Sequence, residues 1–381
     1  MKVMLIGTDS AVSGAGLSMI TLAECLKEQG INVVIVVKLG HTESILRKRG
    51  IEHYVIDCQS WVYSAKANAV KMFCAGWAKR ILNIPAYFKY MSIMKKENPD
   101  IVHINTATSG LAGVVAQKLR KKIVWHIREL MEEDLDCTFA HPRYSKNIMA
   151  KSNAIITISK AVFNKYSRIF PITPMYLIYN GIDNRTFLNA SHSILEKQKT
   201  VFTICGRIHQ NKGQFEVVTA MKNILKKFDC ELWIVGDGDF REVKRIKDYI
   251  KNNKIPEERI IFYGKVTNVP DILGKTDIAI VASRYEAFGR VTVEAMLSGC
   301  LVIGANSGGT AELIKHEKTG LLYQQGNPKD LEQKLLFALS HTVEMRSLAD
   351  AGRCYAAKEF TSENNAKNII SVYEKVLKRD N

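Results

Sequence analysis

A repeated alternation constrains this chain more than any other feature. Short runs of branched apolar residues, such as Lys2-Val3-Met4-Leu5-Ile6-Gly7 and Asp277-Ile278-Ala279-Ile280-Val281-Ala282, are followed by stretches of helical period. Runs that are apolar on both faces suit strands buried in a parallel sheet, and parallel strands need a crossover helix between them. The first half carries such runs from Lys2, Val33, Asp100, Lys122 and Asn153, and the second half carries them near 202, 231, 261, 278 and 301. Between the halves, Asn180-Gly181-Ile182-Asp183 is a turn former at which a chain can change domain. The expected fold class is α/β, with two doubly wound domains facing across a cleft. At 381 residues and 46% apolar, the chain is long enough to build both cores.

The segment Ser283–Glu294 follows one of these strands and holds two carboxylates, Glu286 and Glu294, on either side of Gly289. Val291 to Ser298 has a helical pattern that Gly299 stops, which places Glu286 in the loop and Glu294 in the first helical turns. A helix start offers unpaired N–H groups and the positive end of the dipole, here around Phe288, Gly289 and Arg290, and these suit a phosphate. The carboxylates are then left to accept hydrogen bonds from hydroxyls. Two Glu near a helix start also fit plain partners of the helix dipole. A second strand-to-helix loop, Gly206-Arg207-Ile208-His209-Gln210-Asn211-Lys212-Gly213, adds two cations, Arg207 and Lys212. Arg supplies a planar donor fork and Lys a mobile point charge, a combination suited to a diphosphate, although either one alone reads equally well as a surface charge.

Together these elements resemble the retaining glycosyltransferases of family 4, whose fold is the two-domain, Rossmann-like B type (GT-B). Ser283–Glu294 resembles that family's E-x7-E motif, and Gly206–Gly213 its G-R-x4-K-G element, with Asn211 where an Asp is often found. Ser13-Gly14-Ala15-Gly16 is similar to the family's Gly-Gly loop at the cleft, with Ala15 where a second Gly is frequent. His126, at the carboxyl end of its strand, resembles the family's cleft His, and Arg128 and Glu129 stand beside it as supporting candidates. The resemblance implies that Glu286 contacts the transferred sugar and Glu294 the ribose. It implies that Arg207 and Lys212, with Phe288, Gly289 and Arg290, hold the donor diphosphate, and that His126 lies near the sugar. A second glycine-rich entry, Asn306-Ser307-Gly308-Gly309-Thr310, is expected to line the cleft near the phosphates, with Ser307 or Thr310 as helix cap; a plain βα turn is the alternative. The domains implied are 1–183 on the acceptor side and 184–361 for the donor, with a final helix, 362–381, returning to the first.

Other classes fit less well. A nicotinamide-binding domain would have a third Gly after Gly16 and an acid after the second strand, where Lys38 stands. Gly236-Asp237-Gly238-Asp239 reads as a turn rather than a metal site, so no metal or other cofactor is expected. Eight scattered cysteines without C-x-x-C spacing fit small buried side chains in a reducing compartment. With a strand at the start and no apolar run of spanning length, a cytoplasmic enzyme without leader or anchor is expected. His53, His103 and His209 are read as structural or surface.

The net charge of +16 gathers in part between residues 64 and 96, where Lys66, Lys71, Lys79, Arg80, Lys89, Lys95 and Lys96 stand among aromatic residues with no acid. That composition suits an anionic membrane surface and equally a solvated helical face; no nucleic-acid recognition module accompanies it. The function that the resemblance implies is retaining, metal-independent hexosyl transfer from a nucleotide-diphosphate donor, UDP-sugar first, to a glycan, lipid-linked or cell-envelope acceptor. The rivals are a nucleotide-sugar epimerase of the same fold and a non-catalytic sugar-binding protein.

Overall fold

The computed structural model describes residues 1–7, 14–188 and 199–378. It divides into two compact units, Met1–Gly181 with Ser362–Asn381, and Ile182–Thr361.

The first unit contains β1 (Lys2–Gly7), β2 (Asn32–Val37), β3 (Tyr54–Val55), β4 (Val62–Ser64), β5 (Ile101–Ile104), β6 (Lys122–Ile127), β7 (Cys137–Phe139), β8 (Ala154–Thr157) and β9 (Met175–Leu177). Seven of these form one sheet in the order β3-β2-β1-β5-β6-β8-β9, and β4 pairs with β7 as a separate ribbon. Every pairing in the large sheet is parallel, while the ribbon is antiparallel. The strands are apolar on both faces because helices cover both. One cover is the helix Ser362–Lys378, which sets Ala366, Ile369, Val372, Tyr373 and Val376 into the core at helical spacing, against Val3, Leu5 and Leu22.

The second unit contains β10 (Thr200–Cys205), β11 (Cys230–Val235), β12 (Ile260–Gly264), β13 (Ile278–Val281), β14 (Leu301–Ala305) and β15 (Leu321–Tyr323), all parallel, in the order β12-β11-β10-β13-β14-β15. Strand order reverses between β10 and β13 here, and between β1 and β5 in the first unit. In open α/β sheets, the carboxyl ends of the strands at such a reversal form a ready ligand crevice.

Several details differ from the periodicity reading. Gly14, Ala15 and Gly16 form the opening turn of the helix Gly14–Glu28 rather than a loop, and Ser13 lies outside the described residues. β15 was not anticipated, because three residues are too few for periodicity to register. The first unit ends at Gly181, because Ile182 donates its N–H to Phe360 and bridges to Thr361 in the second unit.

Candidate active site

The loops after β10 and β13 meet at the reversal point of the second sheet. After β10 the chain turns through a short 3-10 segment, Gln210–Lys212, into the helix Gln214–Met221. After β13 it runs to the helix Arg290–Leu297, entered through Gly289 at φ 95°, a left-handed conformation that favours glycine. The Arg284 N–H donates to the Asn211 carbonyl at 2.8 Å, joining the two loops by their backbones. Lys212 Nζ then lies 3.1 Å from Glu286 Oε2, and Arg290 lies 3.1 Å from Glu294 Oε1, all four side chains being largely buried. Glu294 is also close enough to the end of β10 to act on Cys205, whose thiol is pushed up to about 12, first by burial and then by this carboxylate.

Arg207 projects from the same strand end and is exposed, with no hydrogen bond or ion pair to its guanidinium among the described residues. The Phe288 ring is buried edge-on to Phe360 at 6.1 Å, which leaves only its backbone for a ligand.

A third loop supports the first two. The Gly309 N–H donates to the Glu286 carbonyl at 2.7 Å. The approach is so close that a Cβ on Gly308 would stand 2.6 Å from that same oxygen. The cap expected here takes another form. Ser307 occupies the cap position of the helix Gly308–Leu313, but its hydroxyl donates to the Arg284 carbonyl instead of accepting from the helix. Thr310 keeps its hydroxyl buried and unpaired among the described residues. Gly236–Asp239 is a turn in which the Asp239 side chain caps the helix Phe240–Asn252. Among the described residues no three His, Cys, Asp or Glu side chains gather as a metal site.

In the first unit, His126 sits at the carboxyl end of β6, wholly buried within a hydrogen-bonded chain. Arg128 binds Asn105 Oδ1 at 2.8 Å and Asn180 Oδ1, and reaches His126 Nδ1 at 3.3 Å. His103 Nε2 lies 3.2 Å from the same Nδ1, and Tyr373 Oη lies 2.6 Å from His103 Nδ1. A guanidinium can only donate, so His126 Nδ1 accepts and the proton of the neutral ring resides on Nε2. That Nε2 has no partner among the described residues. The same logic runs down the chain: His103 donates from Nε2 and accepts from the Tyr373 hydroxyl at Nδ1. Burial, then the Arg128 charge, lowers His103 to about 3, and the same causes in the same order hold His126 well below its ordinary value.

Glu129 accepts from Thr106 Oγ1 at 2.5 Å and from the Ala107 N–H at 3.0 Å, which ties the loops after β5 and β6 together. Asn105 also donates to the Ala15 carbonyl at 3.0 Å, anchoring the opening turn of the first helix. Sequence reasoning missed His103, Asn105, Asn180 and Tyr373. The available signal was that His103 and His126 end adjacent strands.

Two family descriptions match this chain, Glycosyltransferase Family 4 over residues 12–185 and Glycosyl transferases group 1 over residues 185–354. The chain belongs to the family-4 type of glycosyltransferases. The glycosyltransferase is 27% identical over 304 residues to the N-acetyl-alpha-D-glucosaminyl L-malate synthase of Bacillus anthracis, spanning 77% of this chain and 79% of that protein. It is 22% identical to the capsular polysaccharide biosynthesis glycosyltransferase CapM of Staphylococcus aureus, over 78% and 82% of the two chains. Its fold is GT-B, as in the crystal structure of Anabaena HepE in complex with UDP and glucose, at a TM-score of 0.80 and 20% identity over 98% of this chain and 99% of that one. Among the described residues of the glycosyltransferase, no helix is long and apolar enough to cross a membrane.

Proposed function

We propose that this glycosyltransferase moves a sugar from a UDP-sugar to a glycan or lipid-linked acceptor of cell-envelope polysaccharide synthesis, with retention and without a metal. The observation that carries the reading is the pairing of Lys212 with Glu286 and of Arg290 with Glu294 at the carboxyl ends of β10 and β13. Two cations and two carboxylates in one crevice match a ligand that bears phosphates and hydroxyls together. The presence of UDP with HepE, and the capsular polysaccharide biosynthesis in the name of CapM, support the choices of base and acceptor class.

In this reading the donor enters by exchanging partners with these pairs. A diphosphate takes Lys212 from Glu286, which releases that carboxylate to accept hydrogen bonds from the sugar hydroxyls. Glu294 takes the ribose, while Arg207 and the backbone from Phe288 to Arg290 complete the diphosphate site. These cations stabilise charge that grows on the leaving diphosphate, the usual large electrostatic contribution. His126, holding its proton on Nε2, offers a donor to the sugar, with Arg128 and Glu129 fixing its surroundings. Retention follows from a phosphate oxygen that accepts the acceptor proton on the face from which the leaving group departs. The basic segment 64–96 docks the enzyme on anionic lipid, a peripheral placement on the inner membrane face.

A panel of UDP-, GDP- and ADP-sugars, screened by thermal shift and then in transfer with EDTA present, tests this reading. Stabilisation by UDP-sugars with an α-configured product meets it; an isomerised donor in the absence of acceptor, or no response to any nucleotide, defeats it. Flotation with vesicles, with and without phosphatidylglycerol, tests the docking separately.

A further inference from the structure

The first unit holds a pocket of about 360 Å³ that is lined by none of the residues assigned to the donor or to the sugar, and that is formed partly by the basic segment 64–96. Its walls come from the helices Ala69–Leu82 and Ile84–Glu97 and from the start of the helix Leu111–Lys118, with Trp61 and Tyr144 closing its sides. This volume is within the range of small-ligand sites, and its lining is mostly apolar. The charged side chains that line it, Lys79 and Arg80, are both cationic, and none of the lining residues is acidic. The Arg80 guanidinium lies 3.8 Å from the Tyr144 ring and 4.9 Å from Trp77, which fixes it at the pocket wall. Two lining polar atoms, His141 Nε2 and Ser145 Oγ, are buried without a partner among the described residues.

The surroundings of the pocket are unusual for a water-facing surface. Of the fourteen residues of Ala69–Leu82 only Gly76 is buried, while Val70, Phe73, Trp77, Ile81 and Leu82 are exposed, and Phe88 on the next helix is 64% exposed. A contiguous apolar surface of this kind marks an interaction site, and its basic rim without acids complements an anionic partner. The pocket is also connected to the candidate active site. Trp61 donates from its indole to the Ala107 carbonyl at 2.7 Å, and the Ala107 N–H binds Glu129.

We propose that this pocket takes the hydrocarbon chain of an anionic, membrane-borne lipid, with Arg80 and Lys79 receiving the charged group. The inference rests on the membrane-side acceptor reading and deepens it: the enzyme draws the lipid end of its acceptor out of the bilayer, beside the loops that carry Glu129 and His126. Apolar walls recognise the chain, and the two cations recognise a phosphate.

Monomeric alkyl phosphates test it through the fluorescence of Trp61 and Trp77. Each further buried methylene multiplies affinity by roughly four, so extending the chain by two methylenes, from octyl to decyl and from decyl to dodecyl phosphate, should tighten binding roughly fifteenfold per step. Val114→Trp fills the pocket and should abolish this dependence on chain length while leaving UDP binding unchanged. Phe88→Ser, on an exposed wall, should weaken dodecyl phosphate several-fold even if the filled variant does not fold. Affinity indifferent to chain length, wild-type binding by both variants, or equal binding of uncharged dodecyl maltoside overturns the proposal. If wild type and Val114→Trp float equally with phosphatidylglycerol vesicles and bind dodecyl phosphate alike, the surface docking stands and the pocket falls. If neither protein floats while the chain-length series holds, the pocket stands and surface docking falls.

Discussion

The buried pair His103 and His126 should make this fold sensitive to mild acid, and the size of the effect can be worked out. Both rings are fully buried, and both face the Arg128 charge. The folded chain therefore refuses protons that the unfolded chain accepts. For a group whose folded value is lowered, the unfolded state binds more protons throughout the window between the two values, so stability rises with pH inside it. His103 falls from 6.5 to about 3, so its contribution is complete above its unfolded value and is lost as pH drops toward its folded one. Within the window each refused proton costs about 1.4 kcal/mol per pH unit. From about pH 7 to about pH 5, His103 alone removes about 2 kcal/mol, and His126, lowered in the same direction, adds to that loss. That is a large part of the ~5–15 kcal/mol that holds a typical domain.

The assay is a titration of the histidine ring carbons by NMR, with His103→Asn and His126→Asn assigning the two resonances and urea unfolding supplying the stability slope. In folded protein, His103 should not titrate above about pH 5, and His126 should titrate below its ordinary range. His103→Asn should also flatten the stability slope between about pH 7 and about pH 5 by about 1 kcal/mol per pH unit, and His126→Asn should flatten it in the same direction. If His126 acts on the sugar as proposed, transfer activity should not fall as pH rises through the ordinary histidine range, because the ring is neutral and keeps its Nε2 proton. A His103 or His126 resonance with a midpoint near its unfolded value, in protein that is still folded, would refute both the burial argument and the assigned tautomer.

Three further outcomes follow from the contacts. Lys212→Met should weaken UDP binding by about 10–100-fold, the worth of one charge-assisted contact, whereas Glu286→Ala should abolish transfer while leaving UDP affinity equal or tighter, since Lys212 is released; calorimetry with UDP distinguishes them, and equal losses would contradict the exchange of partners. Gly308→Ala puts a Cβ 2.6 Å from the Glu286 carbonyl at φ +50, so kcat/KM should fall at least about tenfold and Tm by several degrees, and an unchanged kcat/KM would show that the loop is not held as described. Tyr373→Phe strands a buried acceptor on His103 and should cost about 1–3 kcal/mol in unfolding, yet kcat should stay within about threefold because Arg128 still holds the His126 tautomer; Arg128→Met, which removes that lock, should lower kcat, and a reversed order of effects would reject the chain of donors.

What could be read from the sequence divides along a physical line. Each βα unit is a local object, so its strand, the loop at its carboxyl end and the residue types in that loop lie within about a dozen positions of one another. The loop and helix-start positions of Glu286, Glu294, Arg207 and Lys212 were legible for that reason. Partners brought together by the sheet were not. Lys212 meets Glu286 across 74 positions and His103 meets Tyr373 across 270, and no periodicity encodes either meeting. The same limit hid the role of His103, which reads as one more residue of a buried strand until β5 and β6 are set side by side. Gly14–Gly16 was misplaced for the opposite reason. Glycine composition signals a loop, but the Asn105 side chain holds the Ala15 carbonyl and lets these residues enter the helix.

The segment from 64 to 96 shows why charge counting alone left two readings open. A solvated helical face and a membrane face can have the same composition. They differ in which residues the fold buries. Here it buries Gly76 against the His141 ring, whose Nε2 would lie 2.3 Å from any Cβ added there, and it leaves Phe73 and Trp77 outside. An ordinary amphipathic helix would do the reverse, turning its aromatic residues inward and its small residue to water. This orientation of Ala69–Leu82, rather than its number of lysines, makes the face a place where something apolar is received.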